Sequence, residues 1–146
     1  MTTLNFSVEV ITIPVSDVDR AVRFYKDQLS FHLDVDYSPN EGFRVVQLTP
    51  PGSACSIQIG KGLTDAPVGS LRNVYLVVTD LDATRTQLLT SGIAVSAIRH
   101  KSPSGAWDGG FAPGLDFARG DYASFASFSD PDGNSWVLQE RGYRNE

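Results

Sequence analysis

Few side chains in this sequence have a type and setting that could do chemistry. The histidines are His32 and His100, and Cys55 is the single cysteine. His100 ends a strand-like run just before a long loop. An imidazole there could act as general acid or base near neutral pH; the alternative is a structural histidine at a loop edge. His32, between Phe31 and Leu33, opens a strand-like run and reads as an exposed or packed residue. Arg44 could pair with an acidic group on a ligand, or could be solvated or salt-bridged within the protein. Cys55 reads as a small strand residue rather than a nucleophile; alone, it excludes an internal disulfide and supplies no zinc-cluster spacing. Trp107, Tyr122 and Trp136 could line an aromatic pocket for a planar ligand. The sequence shows no glycine-rich phosphate loop, no Ser/His/Asp order and no Cys/His pairing.

The elements that must position these residues follow from pattern. The chain has 146 residues, 41% apolar and 20% charged, which suits one globular domain of two small halves. Its net charge of −5 and its lack of Lys/Arg runs argue against a nucleic-acid partner. Apolar runs are strand-sized, so no membrane span is expected, and "MTTLNFSVEV" lacks the basic and apolar regions of a signal peptide. A cytoplasmic protein is expected.

Two stretches repeat one another: "ITIPVSDVDRA" at 11–21 and "VYLVVTDLDAT" at 74–84, with Asp17 matching Asp80 at an offset of 63 residues. Each is an apolar, β-branched run followed by a polar break and a helical pattern. Ser16 or Asp17, and Thr79 or Asp80, suit a helix N-cap. Val18, Ala21, Val22, Tyr25 and Leu29 fall at helical spacing, and Leu81, Leu88 and Leu89 do so more weakly. Gly92 suits the end of the second helix. Strands are expected at 31–37, 43–50 and 55–60, then at 93–100, 122–130 and 135–140, with Gly133 of "DPDGN" able to take a positive φ in the last hairpin. Alternation puts Tyr122, Ser124, Ala126 and Phe128 on one strand face, and one such face must pack on a helix. The fold class is α+β: two tandem βαβββ modules forming a curved-sheet cleft, at about 5–60 and 71–141, joined by a linker at about 61–70 within a single domain of residues 1–146. The segment 101–121 breaks the symmetry, with five glycines and two prolines. A loop of that length is usually functional or mobile, and its Trp107, Phe111 and Phe117 suggest a flap that packs on something.

A duplicated βαβββ unit carrying "PVSDVDRAVRFY", "VVTDLDA" and "FSDPDGNSWVLQE" resembles the vicinal oxygen chelate superfamily. That group includes glyoxalase I, extradiol dioxygenases and bleomycin-binding resistance proteins. The resemblance covers nearly the whole chain, and "GLDFARGDYASFASFSDPDGNSWVLQE" is similar to a glyoxalase-like bacterial branch. It implies a homodimer and a ligand cleft.

In metal-dependent relatives four inward-facing strand positions hold the ion. Carried over residue by residue, they are Val10, Gln58, Asn73 and Val137. Valine offers no lone pair, and neutral amides are weak ligands for zinc, iron or nickel. Glu9 and Glu140 stand beside these positions, but alternation points them to the opposite face. The resemblance therefore implies a cleft of that shape with no metal ligands and no cofactor. Its ligand-binding candidates are Gln58 and Asn73 as polar contacts, Val10 and Val137, Tyr75 two residues from Asn73 on the same face, and Trp107 on the flap.

Two functions of different kind follow. One is a metal-independent protein that sequesters or carries a small apolar or aromatic molecule. The other is a glyoxalase-like lyase, isomerase or dioxygenase acting on a small organic substrate, with His100 and Arg44 as its catalytic candidates.

Overall fold

The structure is a computed structural model and describes residues 3–103 and 105–144. The chain divides into two compact units, Met1–Ser70 and Leu71–Glu146. Each is a mixed β-sheet with one helical segment, an α+β fold.

In the first unit the order is β1 (Val10–Thr12), α1 (Val18–Val22), β2 (His32–Asn40), β3 (Phe43–Thr49) and β4 (Ser56–Lys61). The sheet order is β1-β4-β3-β2, with β1 parallel to β4 and the other pairs antiparallel. Asp17 is the N-cap: its carboxylate accepts the N–H of Arg20 at 3.0 Å. The periodicity predicts one α-helix to Leu29, but the backbone widens into a π-helix over Arg23–Gln28, closed by Leu29 N–H donating to the Phe24 carbonyl at 2.9 Å. The wider turn brings Phe24 and Tyr25 into the core together, their rings edge to face at 5.0 Å. Val46, Leu48, Ile57 and Ile59 alternate along β3 and β4 and are buried on the helix face. On the face opposite the helix lie Thr12, Gln47 and Gln58.

The second unit runs β5 (Val74–Val78), α2 (Leu81–Thr90), β6 (Arg99–Ser102), β7 (Gly110–Pro113), β8 (Ser124–Ser129) and β9 (Ser135–Glu140). Its sheet order is β5-β9-β8-β6-β7, with β5 parallel to β9. Asp80 caps α2 by accepting the N–H of Ala83 at 3.0 Å, and Gly92 leaves it at φ 88°. Leu81 and Leu88 of α2 are buried, as are Ala126, Phe128, Trp136 and Leu138 of the sheet face it covers, whereas Leu89 is exposed. The "DPDGN" turn ties the unit's two ends together: Asp130 accepts the N–H groups of Asp132 and Asn134 at 2.9 Å, and Asn134 accepts that of Leu71 at 3.1 Å.

Three local differences from the sequence pattern bear on the site. The run 93–100 is not a full strand. Ile93 and Val95 bury their side chains, Val95 makes a single bridge to Phe128, and regular pairing begins only at Arg99. Tyr122 stands at φ 64° ahead of β8, so it does not share the face of Ser124, Ala126 and Phe128. The segment 101–121 is not one flap. Its start completes β6 and its middle forms β7, giving this sheet a fifth strand that the first lacks. Ser104 lies outside the described residues.

Candidate functional site

The face of the second sheet opposite α2 is assembled by register. Tyr75 of β5 stands beside Val137 of β9, Val137 opposite Ser127 of β8, and Gln139 opposite Phe125. Phe125 is paired with Arg99 of β6, and Lys101 with Phe111 of β7. Alternation therefore gathers Tyr75, Val137, Gln139, Phe125, Arg99, Lys101 and Phe111 on one face. The turn between β6 and β7 carries Trp107 over the same region, held by backbone bonds from Ala106 to Pro103 (3.1 Å) and Gly109 to Ala106 (3.2 Å).

Part of this face, with the residues just ahead of β8, lines a cavity of about 470 Å³, with Tyr75, Trp107, Tyr122 and Phe125 as its aromatic walls and Lys101, Gln139 and Asp121 as its polar groups. Phe111 meets Phe125 edge to face at 5.7 Å. Tyr75 is 56% and Trp107 87% exposed, unusually high for large aromatics. The Tyr122 hydroxyl accepts from Arg141 at 3.1 Å, a bond that holds the Arg141 guanidinium above its ordinary pKa. Aromatic walls with a few placed polar groups are the ordinary design of a small-molecule site.

Other sequence candidates lie elsewhere. His100 alternates with Arg99 and Lys101, so it points to the opposite face; its Nδ1 lies 2.8 Å from the Gly114 carbonyl, which can only accept, so that nitrogen carries the proton. Arg44 is on the helix face of the first sheet, where it donates twice to Asp36 (3.0 and 2.9 Å) and once to Asp19 (2.8 Å). These bonds, those of Asp36 first, raise its pKa above the ordinary arginine value. His32 is exposed and bonded to Asp34 at 2.9 Å; Asp34 also accepts from Thr49, and the two bonds, Thr49's the larger, hold its carboxyl below the usual range. Trp136 is buried against α2, stacked on Phe128.

The positions that hold metal in the relatives fall two in each unit. In the first, Val10 pairs with Ser56 and Gln58 with Thr12, whose hydroxyl accepts from the Gln58 amide at 2.8 Å. In the second, Asn73 precedes β5 at φ 56°, exposed, with its N–H donating to Ser135 Oγ at 2.8 Å, while Val137 is buried beside Tyr75. Two alkyl groups and two amides do not fit a divalent transition metal. Among the described residues no three His, Cys, Asp or Glu side chains stand close enough to hold an ion.

Several residues here escape local pattern. Phe125, Gln139 and Lys101 become neighbours of Tyr75 only through strand pairing, although stepping across from Val137 by alternation reaches Phe125. Arg119, at φ 48°, donates to the fully buried Glu140 at 3.0 and 2.6 Å and to Asp80 at 3.3 Å. The Glu140 bonds are the main reason its pKa lies above the ordinary value. Its partner Glu140 also accepts the N–H of Leu81 at 2.8 Å, confirming that this carboxylate faces the helix. Residues 114–121 are thereby pinned, with Asp116 accepting from Gly120 at 3.0 Å.

The sequence profile of the Glyoxalase/Bleomycin resistance protein/Dioxygenase superfamily matches residues 7–138. The chain belongs to that superfamily. Among solved structures of the superfamily's fold, TnmS3, an antibiotic binding protein from Streptomyces sp. CB03234, is 29% identical with a TM-score of 0.71, over 95% of this chain and 98% of that one. A glyoxalase/bleomycin resistance protein from the same organism is 30% identical with a TM-score of 0.68, over 92% and 100%. A superfamily member from Sphaerobacter thermophilus DSM 20745, at 24% identity and a TM-score of 0.68 over 94% and 98%, shares the fold. No curated protein sequence matches the chain.

Proposed function

We propose that this superfamily member is a metal-independent binding protein that sequesters a planar aromatic small molecule against its second sheet. The observation that carries the reading is the cavity walled by Tyr75, Trp107, Tyr122 and Phe125. Four rings around about 470 Å³ suit a flat ligand of two or three fused rings. Likeness to an antibiotic binding protein at 29% identity supports small-molecule binding. The donor chemistry of Val10, Gln58, Asn73 and Val137 supports binding without a metal. The resemblance to dimeric relatives supports a homodimer, which light scattering would register as twice the chain mass.

The test is a thermal-shift screen of planar aromatic compounds, followed by calorimetric titration of a hit. Tyr75→Ala and Trp107→Ala are each expected to weaken binding about tenfold, on a scale of about 1.4 kcal/mol per tenfold, with the melting temperature of the free protein unchanged. Elemental analysis is expected to find far less than one transition-metal ion per chain. Wild-type affinity retained in both variants, or stoichiometric metal required for binding, would sink the reading.

A further inference from the structure

Arg99 and Lys101 stand on the aromatic face without a counter-charge. Lys101 Nζ sits 4.3 Å from the centroid of Phe111, and the guanidinium carbon of Arg99 lies 5.1 Å from the same ring. Arg99 donates to Ser127 Oγ at 2.9 Å and lies 3.5 Å from Ser96 Oγ, and Lys101 donates to the Gly109 carbonyl at 3.4 Å. All these acceptors are neutral. Among the described residues neither cation forms an ion pair, although acidic residues outnumber basic ones 17 to 12 in the chain. The acid on the cavity wall, Asp121, already accepts the N–H of Gly142 at 2.7 Å and lies in the field of Arg141. Both cations are only half exposed. A ring face attracts a cation, but more weakly than an anion does at similar burial. Two half-buried cations beside aromatic walls form a site with one charge missing.

We infer that the ligand of this cavity is a planar aromatic anion, its rings against Tyr75, Trp107 and Phe125 and its acidic group (sulfonate, carboxylate or phenolate) on Lys101, with Arg99 behind. The inference rests on the binding reading above and adds the charge of the ligand to it.

Two fluorescent probes with one skeleton separate charge from shape: 1-anilinonaphthalene-8-sulfonate, an anion, and N-phenyl-1-naphthylamine, its neutral parent. Each is titrated into the wild-type protein, Tyr75→Ala and Lys101→Met. Methionine keeps the length of the lysine stem, and circular dichroism checks the fold. In Lys101→Met the anion's affinity is expected to fall about tenfold, with that of the neutral probe unchanged. In Tyr75→Ala both probes are expected to weaken together. Raising salt from 50 to 500 mM is expected to weaken only the anion in the wild-type protein, a readout that needs no variant. If the ratio of the two affinities is the same in wild type and Lys101→Met and insensitive to salt, the anion inference is overturned while the aromatic site stands. If neither probe responds to Tyr75→Ala, the cavity is not the binding site and both readings fall.

Discussion

Arg44 in the first unit and Arg119 in the second hold the same chemistry in different surroundings. Each guanidinium donates twice to one carboxylate and once to another. For Arg44 the partners are open to water, Asp19 at 72% and Asp36 at 38% exposure. Arg119 closes over Glu140, which has no exposure at all. In the first unit water can replace the arginine. In the second it cannot, and the Glu140 carboxylate is held by one side chain from the long segment before β8 and by the Leu81 N–H. The two open sheet faces differ in a parallel way. Thr12 and Gln58 satisfy each other in the first, whereas in the second the corresponding pair is Tyr75 and Val137, beside the aromatic cavity. A repeated frame carries a polar pair at this position in one copy and an aromatic–aliphatic pair in the other.

Breaking the buried member of the pair should have the largest effect. Arg119→Met leaves the buried carboxyl of Glu140 without its guanidinium partner inside the second unit, and is expected to cost about 3–5 kcal/mol of stability in urea unfolding. A loss under about 1 kcal/mol there would mean that water reaches Glu140, and would erase the contrast.

The next test concerns a residue that closes the first sheet. Gly60 stands two residues beyond Gln58, as Gln139 stands two beyond Val137, and a Cβ on Gly60 would lie 1.9 Å from the Arg44 carbonyl oxygen. Gly60→Ala is expected to cost about 1–3 kcal/mol through forced separation of β3 and β4. The same assay on Gln139→Ala should show little change in stability, because that side chain borders open space.

The smallest effect is that of the arginine whose partners face water. Arg44→Met is expected to cost less than about 1 kcal/mol at neutral pH. It also removes an acid dependence. Hydrogen bonds from Arg44 hold Asp36 below the usual carboxylate range. With the folded value depressed, this contribution is present above the unfolded value of about 3.9 and is lost as pH falls through the folded one. Melting curves of wild type and Arg44→Met should therefore converge below about pH 3; a gap that stays constant down to acid would mean that the pair contributes packing only.

The frame of the fold is legible because it is local. Apolar runs, aspartate caps at Asp17 and Asp80, a glycine exit at Gly92 and the Asp130–Asn134 turn each write their structure in a few adjacent residues. Alternation likewise places Glu140 on the helix face. The site is less legible because it is built by pairing across the chain. Nothing near Lys101 announces Phe111 as its partner, since β7 is a glycine- and proline-rich strand with no period of its own. Positive φ at Asn73, Arg119 and Tyr122 reorients three side chains that simple alternation would have aimed elsewhere. Asparagine tolerates that conformation, but arginine and tyrosine give no warning of it.

The pinned segment behind Trp107 also sets a clock. Residues 114–121 are tied down by Asp116 and Arg119, and β6 and β7 are paired through four residues each, so any opening above the cavity would have to come from the short stretch 105–109 around Trp107. Turns of that size move within about nanoseconds to microseconds, far faster than a tightly held small molecule departs. The residence time of a ligand should then report the strength of its contacts rather than the opening of a gate. Mutations of the cavity walls should then change dissociation far more than association.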